Sequence, residues 1–257
     1  MSKNILEIIS RHKNDPLALL NATGGFYECV KNNEGERLNR MVAYKGTYKD
    51  KDGKEMKYIG DVYHNISKTE ETPLILRHFA RKISRKINLR LKGVINAPNL
   101  FFVGPQEGGA VLASMIAMNF PNAKYACIER KATGEDFEMV FKYHKVPAGS
   151  FVIITKNVLN NFYTTKKIIK KLMSEYSSVV GVACVLNRSM NPKNEKVFSF
   201  NNADIPIISL VHKPYKEFKQ DDPEVAGEVK KGRVEFDPEI NWDRLQISHQ
   251  LASSMNR

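Results

Sequence analysis

The stretch from residue 100 to residue 119 reads LFFVGPQEGGAVLASMIAMN, and it decides the fold. Residues 100–103 are a short, fully apolar run, which is typical of a parallel strand buried on both faces. Residues 104–109 predict a tight glycine-containing loop, and residues 110–119 predict an apolar helix. Because a buried strand that leads through a loop into a helix is part of a βαβ unit, we expect a parallel sheet covered by helices.

The same order of strand, loop and helix recurs further along the chain. Residues 150–155 predict an apolar strand, residues 156–163 a polar loop and residues 164–176 a helix. The remaining core elements are predicted strands at 125–129, 179–186 and 205–211 and a predicted helix at 73–91. The sequence therefore predicts an α/β fold with a parallel, Rossmann-like sheet flanked by helices. In such sheets ligands bind beyond the carboxyl ends of the strands.

The two ends of the chain differ from this core. Residues 1–13 predict a short amphipathic helix rather than a signal peptide. Residues 26–63 form short β-like segments broken by turn signals at 33–35 and 51–53, which indicates a small antiparallel unit. The tail, 213–257, is predicted to be irregular until a short helix after residue 241. We expect one domain over residues 1–257, with a β-rich part at 1–70, the α/β core at 71–212 and the tail.

Charge and cysteine content narrow the functional classes. The 257 residues carry 40 Lys and Arg against 28 Asp and Glu, a net charge of +12. A basic face for nucleic acid and a solvated surface that also serves phosphate ligands both explain this excess. The densest basic cluster, 81–92, reads as the solvated face of one helix, and no recognition motif supports nucleic-acid binding.

No apolar run reaches the roughly 18 residues that span a bilayer, so a membrane protein is not expected. The three cysteines, Cys29, Cys127 and Cys184, are odd in number and far apart. Neither they nor the histidines have the spacing of metal ligands, so no metal-binding residues are predicted. We interpret the cysteines as reduced thiols of a cytoplasmic protein.

Two motifs carry candidate chemistry. The first is the glycine loop at 104–109, where backbone N–H groups and the following helix N-terminus suit an anion. A tight turn that needs glycine only for conformational reasons explains it equally well. The second is residues 151–165, FVIITKNVLNNFYTT, in which Thr164 and Thr165 either hold a phosphate or simply cap a helix.

Over residues 73–210, the order and spacing of these motifs resemble the type I phosphoribosyltransferases, most closely the orotate phosphoribosyltransferases. The glycine loop resembles the family's pyrophosphate-binding loop, and residues 151–165 resemble its motif for phosphoribosyl diphosphate (PRPP). Arg130 and Lys131 resemble the start of the basic flexible loop that orotate enzymes lend to a neighbouring subunit. Residues 160–165, together with residues 24–29, are similar to one divergent orotate-like branch.

The resemblance implies a phosphoribosyltransferase-type fold in which the N-terminal β unit is a hood over the base. It implies a ligand that is a phosphorylated ribose or a nucleotide, a homodimer, and Mg²⁺ as cofactor. The catalytic residues it implies are Arg130, Lys131, Lys156 and Asn157. The ligand-binding residues it implies are Gly104, Gln106, Glu107, Gly108, Gly109, Asn160, Asn161, Thr164, Thr165 and Arg188.

Lys156 and Asn157 depart from the family pattern. They stand where the family has two adjacent acids that hold the ribose hydroxyls and help to place Mg²⁺. A lysine cannot accept a hydrogen bond and repels Mg²⁺, whereas Asn157 can still accept from one hydroxyl. In the flexible loop, Gly134 and Asp136 replace a lysine and a histidine.

These replacements leave three interpretations open. Lys156 could meet an additional anionic group of a different sugar phosphate. The fold could have lost transfer and kept a binding or regulatory role. Lys156 could also be a surface lysine that binds nothing.

Overall fold

The computed structural model describes residues 4–134 and 136–255. The helices are α1 (Ile5–Arg11), α2 (Pro16–Ala22), α3 (Ile66–Glu70), α4 (Pro73–Arg90), α5 (Ala110–Ala117), α6 (Tyr163–Ser174), α7 (Ala226–Lys230) and α8 (Trp242–Met255), with a 3₁₀ turn at Pro192–Glu195. The strands are β1 (Phe26–Glu28), β2 (Met41–Lys49), β3 (Glu55–Gly60), β4 (Val62–His64), β5 (Leu100–Pro105), β6 (Lys124–Thr133), β7 (Asp136–Val140), β8 (Phe151–Leu159), β9 (Ser178–Asn187), β10 (Val197–Phe200), β11 (Ala203–His212) and β12 (Val234–Glu235).

The N-terminal helix predicted over residues 1–13 is present as α1, while residues 1–3 lie outside the described residues. The chain divides into two compact units. The first joins the residues up to Leu19 with Thr69–Pro214, and the second joins Leu20–Lys68 with the residues from Tyr215 onward. The N-terminal helix thus belongs with the core, and the tail belongs with the β-rich segment. A single functional domain stays a prediction.

The first unit is built on a mostly parallel sheet. Within residues 4–134 and 136–255, seven strands pair in the order β10-β11-β9-β8-β5-β6-β7. The pairs from β11 through to β6 are parallel, and the two edge strands, β10 and β7, are antiparallel to their neighbours. Helices α4, α5 and α6 pack against this sheet. The predicted α/β fold class is therefore confirmed.

The core of this unit explains why the strand sequences are apolar on both faces. Phe101, Val103 and Ile154 are buried in one cluster with Ile168 and Leu172 of α6. Residues next to them in sequence, such as Phe102, point to the other face, where its ring stacks on Phe120 at 5.2 Å between centroids. Burial on both faces is what the continuous apolar run at 100–103 indicates.

Two strands extend further than predicted, and both extensions carry candidate site residues. Strand β8 continues to Leu159 because Val158 and Leu159 still pair with β9, so Lys156 and Asn157 lie in a strand rather than a loop. Strand β6 continues to Thr133 and pairs with β7. Arg130 and Lys131 therefore lie in a β-hairpin, not at the start of an open loop.

The second unit contains two small sheets, β1-β4 and β12-β2-β3. The turns predicted at 33–35 and 51–53 are present, with Gly35 and Gly53 at φ 82° and 80°. The prediction of an irregular tail was wrong at β12, which pairs in parallel with β2. Trp242 fixes the last helix, because its Nε1 donates to the Gly24 carbonyl oxygen at 2.9 Å and its ring contacts Tyr63.

Two expectations from the composition, on membrane spans and on the cysteines, can be compared with the structure. Among the described residues, no helix is both long enough and apolar enough to cross a membrane. Cys29, Cys127 and Cys184 form no disulfide. Burial raises the pKa of the Cys29 thiol to about 12 and also raises that of Cys184, so both are held as neutral thiols.

Candidate functional site

The candidate site lies at the carboxyl ends of β5 and β8. From β5 the chain passes through α5 to β6 on one side of β5, and it later returns to β8 on the other side. This reversal is a topological switch point, where the loops that follow two adjacent parallel strands diverge and leave a crevice. The two motifs found in the sequence follow these two strands.

The glycines of the first loop are required by close contacts within the protein. A Cβ atom on Gly104 would overlap the carbonyl oxygen of Gly109, and one on Gly109 would overlap the carbonyl oxygen of Thr155. Gly108 has open space around it but adopts φ 94°, a left-handed conformation that suits glycine. The tight-turn interpretation therefore accounts for all three glycines, and anion binding by this loop stays a prediction.

Backbone hydrogen bonds hold this loop between two strands. The N–H of Asn157 in β8 donates to the carbonyl oxygen of Gly108 at 2.8 Å, and the N–H of Gln106 donates to the carbonyl oxygen of Ile128 in β6 at 2.9 Å. The first bond joins the two sequence motifs directly. The side chains of Gln106 and Glu107 are exposed at the same edge.

The second motif ends in a helix that is capped neither by the side chain of the residue before it nor by Thr164 or Thr165. The residue before α6 is Phe162, in the left-handed conformation at φ 62°, with no capping hydrogen bond from its side chain. The interpretation of Thr164 and Thr165 as simple N-caps was therefore wrong, because both lie within the first turn. Asn161 accepts from the N–H of Tyr163 at 3.1 Å. The N-terminal turns of helices favour anions.

Arg130 is brought to this helix end. Its Nη2 donates to the Thr164 hydroxyl at 3.2 Å, and its guanidinium lies 4.7 Å from the centre of the Phe137 ring. Lys131 pairs instead with Glu138 across the hairpin at 3.2 Å, with both side chains exposed. The structure thus places Arg130, but not Lys131, beside the second motif.

Asp136 balances part of the positive charge at this end of α6. Its carboxylate accepts hydrogen bonds from Lys167 at 2.6 Å and from the Tyr163 hydroxyl at 2.8 Å. The bond from Lys167, followed by bonds from the Phe137 backbone and Tyr163, lowers the pKa of Asp136 to about 2. Lys167 also lies 4.6 Å from the Phe137 ring centre. Sequence reasoning missed Lys167, because a helix lysine looks like any solvated residue.

Asn157 is buried and holds a carboxylate. The side chain is 4% exposed, and its Nδ2 donates to Oε1 of Glu70, the last residue of α3, at 2.9 Å. Within the part of the chain that the structure describes, the Asn157 Oδ1 and the hydroxyl of buried Thr155 have no hydrogen-bond partner. Thr155 and Asn157 lie two residues apart in β8, so they face the same side of the sheet.

Lys156 lies on the other face. It pairs in register with Cys184 of β9, whose side chain belongs to the core cluster beneath α6. Lys156 is half-buried and shares this face with α6, which carries Thr164 and Thr165. The side chains of Lys156 and Asn157 therefore point in opposite directions.

Asn160 and Arg188 complete the predicted set. Asn160 is half-buried in the short loop before α6, and Arg188 is buried just after β9. The N–H of Arg188 donates to the carbonyl oxygen of Leu159 at 2.8 Å. Arg188 thus lies at the same edge of the sheet as the second motif. Its role as a ligand-binding residue stays a prediction.

Comparisons with known proteins find matches only among solved structures. No protein-family model matches the chain, and no curated protein does. Several solved structures are similar in backbone. Adenine phosphoribosyltransferase from Leishmania donovani is 18% identical in sequence, over 67% of this chain and 75% of that chain, with a TM-score of 0.46. Orotate phosphoribosyltransferase from Aeropyrum pernix is 14% identical, over 66% and 87%, at 0.45. A hypoxanthine phosphoribosyltransferase from Staphylococcus aureus is 13% identical, over 55% and 76%, at 0.41.

Lys156 and Asn157, the two residues at the acid-pair positions of β8, do not by themselves provide the ligands of Mg²⁺. This ion needs oxygen ligands in near-octahedral geometry, and proteins usually provide one or two carboxylates. Here the motif provides the cationic Lys156 and the amide of Asn157. Among the described residues, no group of three or more His, Cys, Asp and Glu side chains could hold a metal ion. No step of the function proposed below runs through Mg²⁺.

Proposed function

We propose that this chain binds a phosphorylated ribose or a nucleotide at the carboxyl ends of β5 and β8. We further propose that it transfers a phosphoribosyl-type group between diphosphate and a nitrogenous base. The observation that carries the proposal is the hydrogen bond from the Asn157 N–H to the Gly108 carbonyl oxygen. It brings together two motifs about 50 residues apart, each of which resembles a phosphoribosyltransferase motif, at the switch point of the sheet where ligands bind.

The charges around this edge support an anionic ligand. In the first turn of α6, Thr164 is half-buried and its hydroxyl accepts from Arg130, whereas Thr165 is buried. Lys156 lies on the same face of the sheet as α6. Phosphoribosyl transfer develops positive charge at the sugar and negative charge on diphosphate. Its catalysis therefore needs positioning and electrostatic stabilisation rather than a covalent intermediate. These donors suit the phosphate end of such a substrate.

Resemblance to the orotate enzymes extends the proposal. Orotate is therefore the first base to test. We also propose that the protein acts in pyrimidine metabolism in the cytoplasm and that it forms a homodimer. Light scattering after size-exclusion chromatography measures the assembly directly. A monomer at micromolar concentration would remove the lent flexible loop from the proposal.

A binding or regulatory protein without transferase activity is the second candidate. Lys156 in place of an acid favours it, as does Asp136, which pairs with Lys167 and stands where the orotate enzymes have a histidine. Loss of one well-aimed donor costs about 10²–10³ in rate. Several such losses leave little turnover while ligand binding survives.

Thermal unfolding tests both candidates. The wild type and the variants Lys156→Ala and Lys166→Ala are unfolded with and without PRPP, pyrophosphate, orotate and uridine monophosphate. Lys166 is an exposed lysine on α6 and serves as the matched control. Ligand at 100 times its Kd adds about 2.7 kcal/mol to the free energy of unfolding. We expect stabilisation of the wild type and of Lys166→Ala by PRPP, and a smaller effect on Lys156→Ala.

Turnover then separates the candidates. Formation of a nucleotide from PRPP and a base supports the transferase, and stabilisation without turnover supports the binding protein. No stabilisation by any of these ligands contradicts both.

A further inference from the structure

In the described part of the chain, the carboxylate of Glu70 is held by a hydrogen bond to only one of its two oxygens. One of its oxygens accepts from the buried amide of Asn157 at 2.9 Å. Across the described residues, its other oxygen has no hydrogen bond or ion pair, and the residue is half-buried rather than fully exposed. A half-buried carboxylate that is fixed on one side and open on the other is a ready hydrogen-bond acceptor.

A second observation points to a ligand at the same place. The Asn157 Oδ1 and the Thr155 hydroxyl are buried without a partner in the described chain. Leaving a buried polar group unsatisfied destabilises the folded state, because the group has lost its bonds to water and gained none in return. They lie on the face of β8 that carries the contact with Glu70, next to the glycine loop. A buried polar group left unpaired in a native fold needs an explanation, and a molecule bound at this place would supply it.

We propose that Glu70 supplies, from α3, the hydroxyl-accepting carboxylate that the second motif lacks, and that Asn157 is the residue that positions it. This inference rests on the proposed function and names the part of the ligand involved. Glu70 would accept hydrogen bonds from ribose hydroxyls, while the donors near α6 meet the phosphate. The carboxylate would thus come from Glu70, at the end of α3, rather than from β8 itself.

The pairing predicts what happens when the family's acid is restored. Asn157→Asp alone would place two carboxylates within hydrogen-bonding distance, and like charges so close disfavour each other. The exchange Glu70→Gln with Asn157→Asp keeps one amide and one carboxylate in contact with their places reversed. The exchange therefore keeps the hydrogen bond and returns the carboxylate to β8.

Two ligands separate a binding role from a structural one. Ribose 5-phosphate carries the hydroxyls, and pyrophosphate carries none. We expect Glu70→Gln to weaken the affinity for ribose 5-phosphate by roughly 10- to 100-fold, the range for a hydrogen bond to a charged group. We expect its affinity for pyrophosphate to stay within about twofold. Glu71→Gln, the same change at the exposed neighbour, is the control and should alter neither.

Isothermal titration of the full chain in EDTA gives these affinities for the wild type, the three single variants and the exchange variant. Recovery of ribose 5-phosphate binding by the exchange, after loss in each of Glu70→Gln and Asn157→Asp, supports the inference. Equal loss for both ligands in Glu70→Gln overturns it in favour of a structural tie between α3 and β8. Unchanged binding in Glu70→Gln also overturns it and leaves the proposed function intact. A wild type that binds neither ligand overturns the proposed function, and the inference with it.

Discussion

The loops after β5 and β8 do the same structural task by different means. Each carries the chain from a buried parallel strand into a helix at the same edge of the sheet. The first loop, 104–109, is fixed through its backbone, because Gly104 and Gly109 leave no room for a Cβ atom. The second loop, 160–162, contains no glycine and is fixed through a side chain, since Phe162 is buried against Phe198. A left-handed turn can thus be secured by core packing as well as by glycine.

Removing the Phe162 ring should give the largest effect. The ring stacks on Phe198 with 4.4 Å between centroids and 5° between planes, and the residue is 3% exposed. Phe162→Ala is expected to lower the free energy of unfolding by about 3–5 kcal/mol, the usual cost of deleting a buried aromatic ring. Urea denaturation measures the change.

Phe162→Gly tests whether the left-handed backbone stores strain. Both variants lose the same ring, but glycine adopts φ 62° without the penalty of about 1–2 kcal/mol that other residues pay. We expect Phe162→Gly to be more stable than Phe162→Ala by roughly 1 kcal/mol. A glycine variant that is less stable than the alanine variant would show that the turn is not strained.

The glycine loop should respond in the next largest way. In Gly109→Ala, the added methyl group would overlap the carbonyl oxygen of Thr155, so a backbone segment must move. Overpacking of this kind costs about 1–3 kcal/mol, and we expect the upper end because the neighbour is backbone. The shift would also disturb the Asn157–Gly108 hydrogen bond, so stabilisation by pyrophosphate should weaken.

Gly108→Ala is the matched control for that change. Its methyl group meets open space, so only the left-handed φ costs energy, about 1–2 kcal/mol. Pyrophosphate should stabilise this variant as it does the wild type. If Gly108→Ala loses more stability than Gly109→Ala, close packing is not what fixes the first loop.

The sequence predicted the strands better than the ends of the strands. The buried segments of β5, β8, β9 and β11 can be recognised in the sequence as apolar runs, because both faces of the sheet are covered. At residues 155–157 β8 becomes polar although Thr155 and Asn157 are buried, and the ladder with β9 continues to Leu159. The apolar run therefore stops before the strand does, so Lys156 and Asn157 were predicted in a loop.

The contacts between residues far apart in the sequence were the part of the site that could not be predicted from the sequence. The glycine loop and the Thr164–Thr165 pair follow from local pattern, and Arg130 follows from resemblance. Glu70 lies 87 residues from Asn157, and no local signal distinguishes it from other surface acids. Lys167 and Phe137, which surround Arg130 and Asp136, were missed for the same reason.

The smallest effect concerns Asp136, which tests the charge balance at the second loop. Asn in its place keeps the shape and removes the negative charge that offsets Lys167. Asp136→Asn should tighten pyrophosphate binding by roughly 1.5- to 5-fold, a small effect because exposed charges interact weakly through solvent. The gain should shrink at high salt, because exposed charges are screened. Glu138→Asn, which frees the distant Lys131, should change the affinity less.

The same prediction can be tested by measuring how pyrophosphate binding depends on pH, because only the charged form of Asp136 opposes the anion. Hydrogen bonds from Lys167, the Phe137 backbone and Tyr163 lower the pKa of Asp136 to about 2, against about 3.9 in an unfolded chain. For a lowered pKa, the stabilising contribution is complete above the unfolded value and is lost as the pH falls through about 2. With a pKa of about 2, Asp136 stays charged down to about pH 4, so the affinity ratio of Asp136→Asn to wild type should be constant from about pH 4 to about pH 8. An Asp136 that Lys167 does not hold would be about half protonated near pH 4, so a ratio that falls towards one there would contradict this prediction.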